Sequence, residues 1–282
     1  MQAVEKTRIG NVALAYRMRP GSSRAVIFIH GLGDSQSSFS SFFEKDLPDD
    51  LTLAALDMPG CGKSDRPTDF SYAMKDQADL VLKWLREFGF EKTILAGHSM
   101  GGVIAQYVAE SLPPERIEGF VNIEGNLGIE DCFFSGRIAS YPESAFEKNG
   151  FKTIVRALRA GTAGDPSSVM KQYLDNFSKA LPRAVYRSSL SLIEESTHGR
   201  LKERFSALAF PKGFISGERS LTPSLSDYLE RNRILHLTVP ASGHFMMLEQ
   251  PEAFHEIFWR MLERMRGLRI EPSASSGQGI EN

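Results

Sequence analysis

Short runs of consecutive apolar residues, separated by amphipathic stretches, are the first regularity along the chain. Val12 to Arg19 and Ala25 to His30 read as strands, and the second begins with AVIFI, a continuous apolar run of the kind that suits a strand covered on both faces. GLGDSQSS follows His30, then a short amphipathic stretch to Leu47, and LTLAALDMPG predicts another buried strand ending in a Pro-Gly turn. Over Tyr72 to Phe88, the residues Leu80, Val81, Trp84, Leu85 and Phe88 recur at helical spacing, and Gly89 stands where a helix would end. TILAG, HSMGG and VIAQYVAESLP then read as strand, tight turn and helix, with a further strand in GFVNIEG. This alternation predicts an α/β fold whose central sheet is mostly parallel, with helices on its faces.

Between Asn126 and Leu208 the pattern changes. No strand signal occurs there, while FKTIVRALRA, SVMKQYLDNFSKAL and AVYRSSLSLIEES carry helical periodicity. Strand signals return in KGFIS and RILHLTV, and PEAFHEIFWRMLERM predicts a long closing helix. The expected organisation is a core over 1–125 and 209–267, a helical cap inserted at 126–208, and a disordered tail over 268–282, where PSASSGQGIEN is rich in Ser and Gly.

Composition narrows the partners. Thirty-three basic and thirty-five acidic residues leave a formal charge of -2, so no global field draws the chain to nucleic acid or an anionic membrane, and a small-molecule substrate is expected. The N-terminus MQAVEKTRIG is charged where a signal peptide needs an apolar stretch, and no run reaches the roughly 18 apolar residues of an integral membrane segment, which reads as a soluble, cytoplasmic protein. Cys61 and Cys132 are too few for a disulfide framework and read as free thiols. No His, Cys and carboxylate set has metal-ligand spacing and no GxGxxG follows a strand, so neither metal nor organic cofactor is expected. Oligomeric state leaves no mark in the sequence.

The candidate chemistry centres on Gly97-His98-Ser99-Met100-Gly101. A GxSxG match alone has little weight, but this one lies between a strand and a helix, the context in which a sharp turn exposes a nucleophilic serine. Glycines are needed on either side because the serine takes strained backbone angles and leaves its neighbours no room for side chains. Together, HGLGDS, DMPGCGKSDRP, GHSMGG and SGHFMMLEQPEAF resemble the α/β-hydrolase superfamily from about Ile27 to Leu262, strongly over the sheet and weakly over the cap. The resemblance implies an α/β-hydrolase fold and a serine hydrolase with Ser99 as nucleophile.

A serine nucleophile needs a base that takes its proton and later returns it, a role suited to imidazole. Of six histidines, His244 follows the last strand and precedes the closing helix, where the resemblance places the base. His30 reads as a loop organiser and His98 as packing beside the turn, while His198, His236 and His255 are assigned no chemistry. The acid is less regular. Many relatives place an Asp a few residues after the strand that here is KGFIS, but Ser220 of Gly217-Glu218-Arg219-Ser220 occupies that position, and a hydroxyl supplies no charge. Some branches, among them certain lipases and haloalkane dehalogenases, carry the acid after the preceding strand, where Glu124 stands in VNIEGN. A carboxylate at the end of a buried strand calls for a partner, so Glu124 is favoured, with Glu218 as the alternative acid.

The resemblance further implies an oxyanion hole from the amides of Leu32 and Met100. Asp57 reads as holding the Pro-Gly turn; GCGKS is no P-loop, since Asp57 stands where that motif needs Gly and Pro67 breaks the following helix. Phe133, Phe134, Phe146, Phe151, Tyr173, Phe177, Tyr186, Met246 and Met247 are candidates for an apolar substrate pocket, with most expected in the core and Phe133, Phe134 and Met246 chosen as lining. A serine rather than an aspartate nucleophile disfavours dehalogenase and epoxide hydrolase chemistry. Hydrolysis of a small to medium apolar carboxylic ester leads. C–C bond, lactone or amide hydrolysis, acyl transfer, and a non-catalytic ligand-binding protein of the same fold stay open.

Overall fold

A computed structural model describes residues 3–44, 51–161 and 168–267. The chain opens with β1 (Val4–Ile9), β2 (Val12–Arg19), β3 (Arg24–Ile29) and β4 (Thr52–Leu56), then alternates α1 (Met74–Phe88), β5 (Lys92–His98), α2 (Met100–Ser111) and β6 (Ile117–Ile123). Helices follow: α3 (Phe133–Ala139), α4 (Glu143–Ala145), α5 (Phe151–Gly161), α6 (Ser168–Phe177), α7 (Pro182–His198) and α8 (Leu201–Ala207). The chain then completes β7 (Lys212–Gly217), α9 (Pro223–Arg231), β8 (Leu235–Val239), α10 (Met246–Glu249) and α11 (Pro251–Arg266). Among the described residues no strand occurs between β6 and β7. The tail expected over 268–282 lies outside the described residues.

The eight strands form one sheet in the order β1-β2-β4-β3-β5-β6-β7-β8. β2 runs antiparallel to β1 and β4, and every other pairing is parallel. Because β4 and β5 flank β3 on opposite sides, the chain reverses its winding direction there. That switch point leaves a crevice outside the carboxyl ends of the strands, the usual place for a ligand in an open α/β sheet.

Both sheet faces are covered, which explains the continuous apolar runs: β3, β5 and β6 are buried at nearly every position. On one face Val81, Trp84 and Leu85 of α1 and Val103, Ile104 and Val108 of α2 join the core with Leu95 and Phe120. On the other, Phe28 of β3 meets Phe39, Phe42 and Phe258 with ring centroids 4.8, 4.7 and 5.2 Å apart. Each such fully buried side chain contributes about 1.5–3 kcal/mol through removal from water. α1 stops where expected: Gly89 takes φ 66° and its amide donates to the Leu85 carbonyl.

Two elements escape the apolar pattern. β1 is an edge strand whose residues are mostly half-buried or exposed, so it lacks an apolar run. α9 buries only Leu229, so its periodicity is faint despite a Thr222 cap and Pro223 at its first turn.

Candidate active site

Five consecutive parallel strands end around one point. The loop after β3 brings Leu32, the turn after β5 Ser99, the end of β6 Glu124, the turn after β7 Ser220, and the loop after β8 His244.

Ser99 sits at φ 52°, ψ -123°, a backbone conformation costly for any residue with a side chain. Its surroundings hold it there: its amide donates to the Ile123 carbonyl at 3.1 Å, and its carbonyl accepts the Gly102 amide at 2.8 Å. A Cβ on Gly97 would collide with the Gly101 carbonyl, and one on Gly101 with that of Ile29. Those two glycines let α2 start directly against the strand ends.

Glu124 also has a positive φ, 44°, which turns its side chain out of β6. Its Oε2 lies 2.7 Å from Nδ1 of His244, while Oε1 accepts the Gly217 amide at 2.6 Å and the Ser220 hydroxyl. Burial pushes this carboxyl upward, but the His244 ring, the Ser220 hydroxyl and the Gly217 amide outweigh it and hold the pKa below the usual glutamate value. An ionised Glu124 can only accept a hydrogen bond, so the contact is made by Nδ1–H of the His244 ring, the tautomer whose Nε2 carries the free lone pair. Glu218 is used otherwise: it is exposed, and its Oε2 accepts the Ala241 amide at 2.8 Å. The structure thus brings Glu124, and not Glu218, to the imidazole.

His98 is buried beneath this pair. Its Nε2 donates to the His244 carbonyl at 2.9 Å, and its ring centroid stands 4.7 Å from that of His244. Burial, then the neighbouring His244, depress its pKa well below the ordinary histidine value, so it stays neutral. Nε2 carries its proton, and Nδ1 finds no partner among the described residues. His30 holds a loop, as expected: Nε2 accepts the Met58 amide at 2.9 Å and Nδ1 donates to the Gly31 carbonyl at 2.7 Å. Asp57 likewise binds the amides of Gln36 and Lys63, each at 2.8 Å.

Met100 is the first residue of α2, so its amide is among the N–H groups that have no acceptor within the helix. Leu32 lies on a loop pinned by α6. Tyr173 donates through its hydroxyl to the Leu32 carbonyl at 3.2 Å, Asn176 donates to Asp34 at 2.8 Å and to Ser37 at 2.9 Å, and Gln172 donates to the Ser37 carbonyl at 3.0 Å.

A cavity of about 360 Å³ opens at Ser99 and His244 and is lined by Leu32, Phe133, Phe134, Leu158, Tyr173 and Phe245 among others. Of the aromatic candidates, Phe146, Phe151, Phe177 and Tyr186 are buried in the core instead. Met246 requires correction. It is fully buried in the cluster on the opposite sheet face, with Met247 beside it, because the turn after Phe245 directs both side chains toward α11. Sequence reasoning missed Ser220, Asn126 and Asp131, all of which face the site. Ser220 carried a signal nonetheless: it occupies the position of an absent acid. Among the described residues no group of three or more His, Cys, Asp or Glu could hold a metal. No helix there is long and apolar enough to cross a membrane.

A mostly parallel sheet with a serine, an imidazole and a carboxylate brought together at the ends of three of its strands defines a class of proteins. The chain belongs to the α/β-hydrolase fold family, whose model matches residues 24–203. It is 25% identical over 244 residues to a pimeloyl-[acyl-carrier protein] methyl ester esterase of Pseudoalteromonas atlantica, covering 83% of this chain and 92% of that one. It is 30% identical over 169 residues to the dihydrolipoyllysine-residue acetyltransferase component of an acetoin cleaving system from Cupriavidus necator, covering 60% of this chain and 42% of that relative's length. Among solved structures, a thermophilic esterase from Thermogutta terrifontis superposes with a TM-score of 0.76 at 20% identity, over 93% of this chain and 99% of that one. The N-acyl homoserine lactonase AidH gives 0.72 at 18% identity, over 95% and 100%. At such identities these superpositions speak for the fold alone.

Proposed function

We propose that this protein is a serine hydrolase that cleaves small to medium, largely apolar carboxylic esters through an acyl-enzyme on Ser99. The observation that carries the reading is the 2.7 Å contact between His244 Nδ1 and Glu124, formed beside a serine held in the left-handed turn at the head of α2. Ser99 Oγ attacks the ester carbonyl while its proton passes to His244 Nε2, and Glu124 stabilises the imidazolium that results. The oxyanion accepts the amides of Leu32 and Met100. Collapse of the intermediate breaks the C–O bond, and Nε2 returns the proton to the departing alcohol. Water then attacks the acyl-enzyme by the same path, releasing the acid and Ser99.

The apolar walls of the 360 Å³ cavity support a hydrocarbon chain on one side of the carbonyl. The likeness to the Pseudoalteromonas methyl ester esterase agrees with ester chemistry. On the same reading, the segment over 126–208 acts as a cap that supplies Phe133, Phe134, Leu158, Met170 and Tyr173 to the cavity. Incubation with a fluorophosphonate, followed by peptide mass spectrometry, tests the nucleophile. A stable adduct on Ser99, with turnover of 4-nitrophenyl esters that Ser99→Ala abolishes, is expected. Folded protein that forms no adduct would instead be a ligand-binding member of the family.

A further inference from the structure

The cavity described above is one of two that meet at Ser99 and His244. The second, of about 250 Å³, lies toward α9 and is lined by Asn126, Glu130, Lys202, Ser220, Thr222 and Ser224 among others. Its walls are of a different kind. The first cavity is mostly apolar, with Leu32, Phe134, Leu158 and Met170 in its walls and Asn126, Asp131 and Ser135 as polar members. The second mixes hydroxyls, an amide and the ion pair of Lys202 with Glu130, whose side chains are 33% and 57% exposed and so reach solvent, with the apolar side chains of Leu127, Phe214 and Leu225. Asp131 lines both cavities and stands with Asn126 at their junction.

Building on the serine hydrolase reading, we propose that the site takes amphiphilic esters, with a medium-length apolar chain on one side of the scissile bond and a hydroxylated group on the other. The two halves of such a molecule match the two cavities in chemistry. A hydrocarbon chain forced into the second cavity strips water from Lys202, Glu130 and the hydroxyls and returns no hydrogen bond. A polyol forced into the first cavity loses its own hydration against leucine, methionine and phenylalanine surface. An ester apolar on both sides therefore sets one half against the more polar wall, whereas a mixed ester in the matching orientation does not. Because both cavities contact Ser99 and His244, the scissile carbonyl lies at the boundary between the two environments.

Three esters test this on the full chain: glycerol 1-monohexanoate, hexyl 2,3-dihydroxypropanoate and hexyl hexanoate, each followed by acid release. The expected result is a kcat/KM for one of the two mixed esters about tenfold or more above that for hexyl hexanoate. Ser224→Leu, which replaces a hydroxyl of the second cavity with hydrocarbon, is expected to reduce that ratio to threefold or less, within the range of about one lost polar contact. Hexyl hexanoate turned over as fast as the faster of the two mixed esters, or a ratio unmoved by Ser224→Leu, overturns the proposal. If fluorophosphonate labels Ser99 while the preference is absent, the amphiphilic reading fails and the serine hydrolase reading stands. Without labelling or turnover of any of the three, both fail.

Discussion

The Ser220 hydroxyl donates to Oε1 of Glu124, the carboxylate oxygen that does not face His244. A serine in the turn after β7 thereby steadies the carboxylate at the end of β6. Removal of the hydroxyl in Ser220→Ala is expected to lower kcat about tenfold, the scale of a hydrogen bond to a charged group, with KM little changed. Ser220→Thr keeps the donor and should recover most of the loss. Steady-state kinetics of the two variants separates positioning of Glu124 from simple packing.

The acid assignment has its own test. Glu124→Gln is expected to reduce kcat by roughly 10⁴-fold, because an amide no longer selects the Nδ1–H tautomer or stabilises the imidazolium. Glu218→Gln, on an exposed turn carboxylate, should stay within about twofold of the parent. If the second variant is the inactive one, Glu218 is the acid. Placing a carboxylate at the other strand end, in Glu124→Gln combined with Ser220→Asp, should regain at least part of the rate.

Acidification should reveal the same contact through stability. The folded-state pKa of Glu124 is lowered, since the His244 ring, the Ser220 hydroxyl and the Gly217 amide outweigh its burial. The native state therefore releases that proton more readily than the unfolded chain, where glutamate titrates near about 4.3. Its stabilisation is complete above that unfolded value and is lost as pH falls through the lower folded value. Thermal melts across this range should show the gap in Tm between the parent and Glu124→Gln narrowing as pH drops.

Phe133 and Met246 should separate binding from folding. Phe133 is 87% exposed at the cavity mouth, so Phe133→Ala is expected to raise KM with little change in Tm. Met246 is fully buried on the far face of the sheet, and Met246→Ala should cost about 2–5 kcal/mol in a denaturant melt while KM is kept.

The contrast between those two residues shows what a linear reading can and cannot reach. Strands covered on both sides write themselves as apolar runs, so β3, β4, β5 and β6 were readable, as was the serine turn between β5 and α2. That Glu124 has a partner was readable too, because a carboxylate closing the buried stretch VNI demands one. Direction was not. Met246 stands two residues from His244, yet one helical turn sends its side chain through to the opposite layer. β1, an edge strand with little burial, and α9, with Leu229 alone buried, gave no contrast to read. Ser220 could be recognised as a missing acid, but its bond to Glu124 depends on where two strand ends meet.

Tyr173→Phe should be felt at the oxyanion. The hydroxyl of Tyr173 donates to the Leu32 carbonyl from α6, and its loss, worth about 1 kcal/mol, is expected to slow both ester turnover and fluorophosphonate labelling about fivefold. Stopped-flow acylation rates measure it directly.

The grip of α6 on that loop also has a bearing on how this protein can diverge. Met170 and Tyr173 of α6 line the apolar cavity, while Tyr173 and Asn176 hold the chain that carries Leu32. On the proposed reading, one helix is thus answerable both to the shape of the substrate and to the stabilisation of charge on its carbonyl. If that reading holds, changes in this helix that suit a new molecule but remove the Tyr173 hydroxyl or the Asn176 amide should lower the rate in the same step that changes preference.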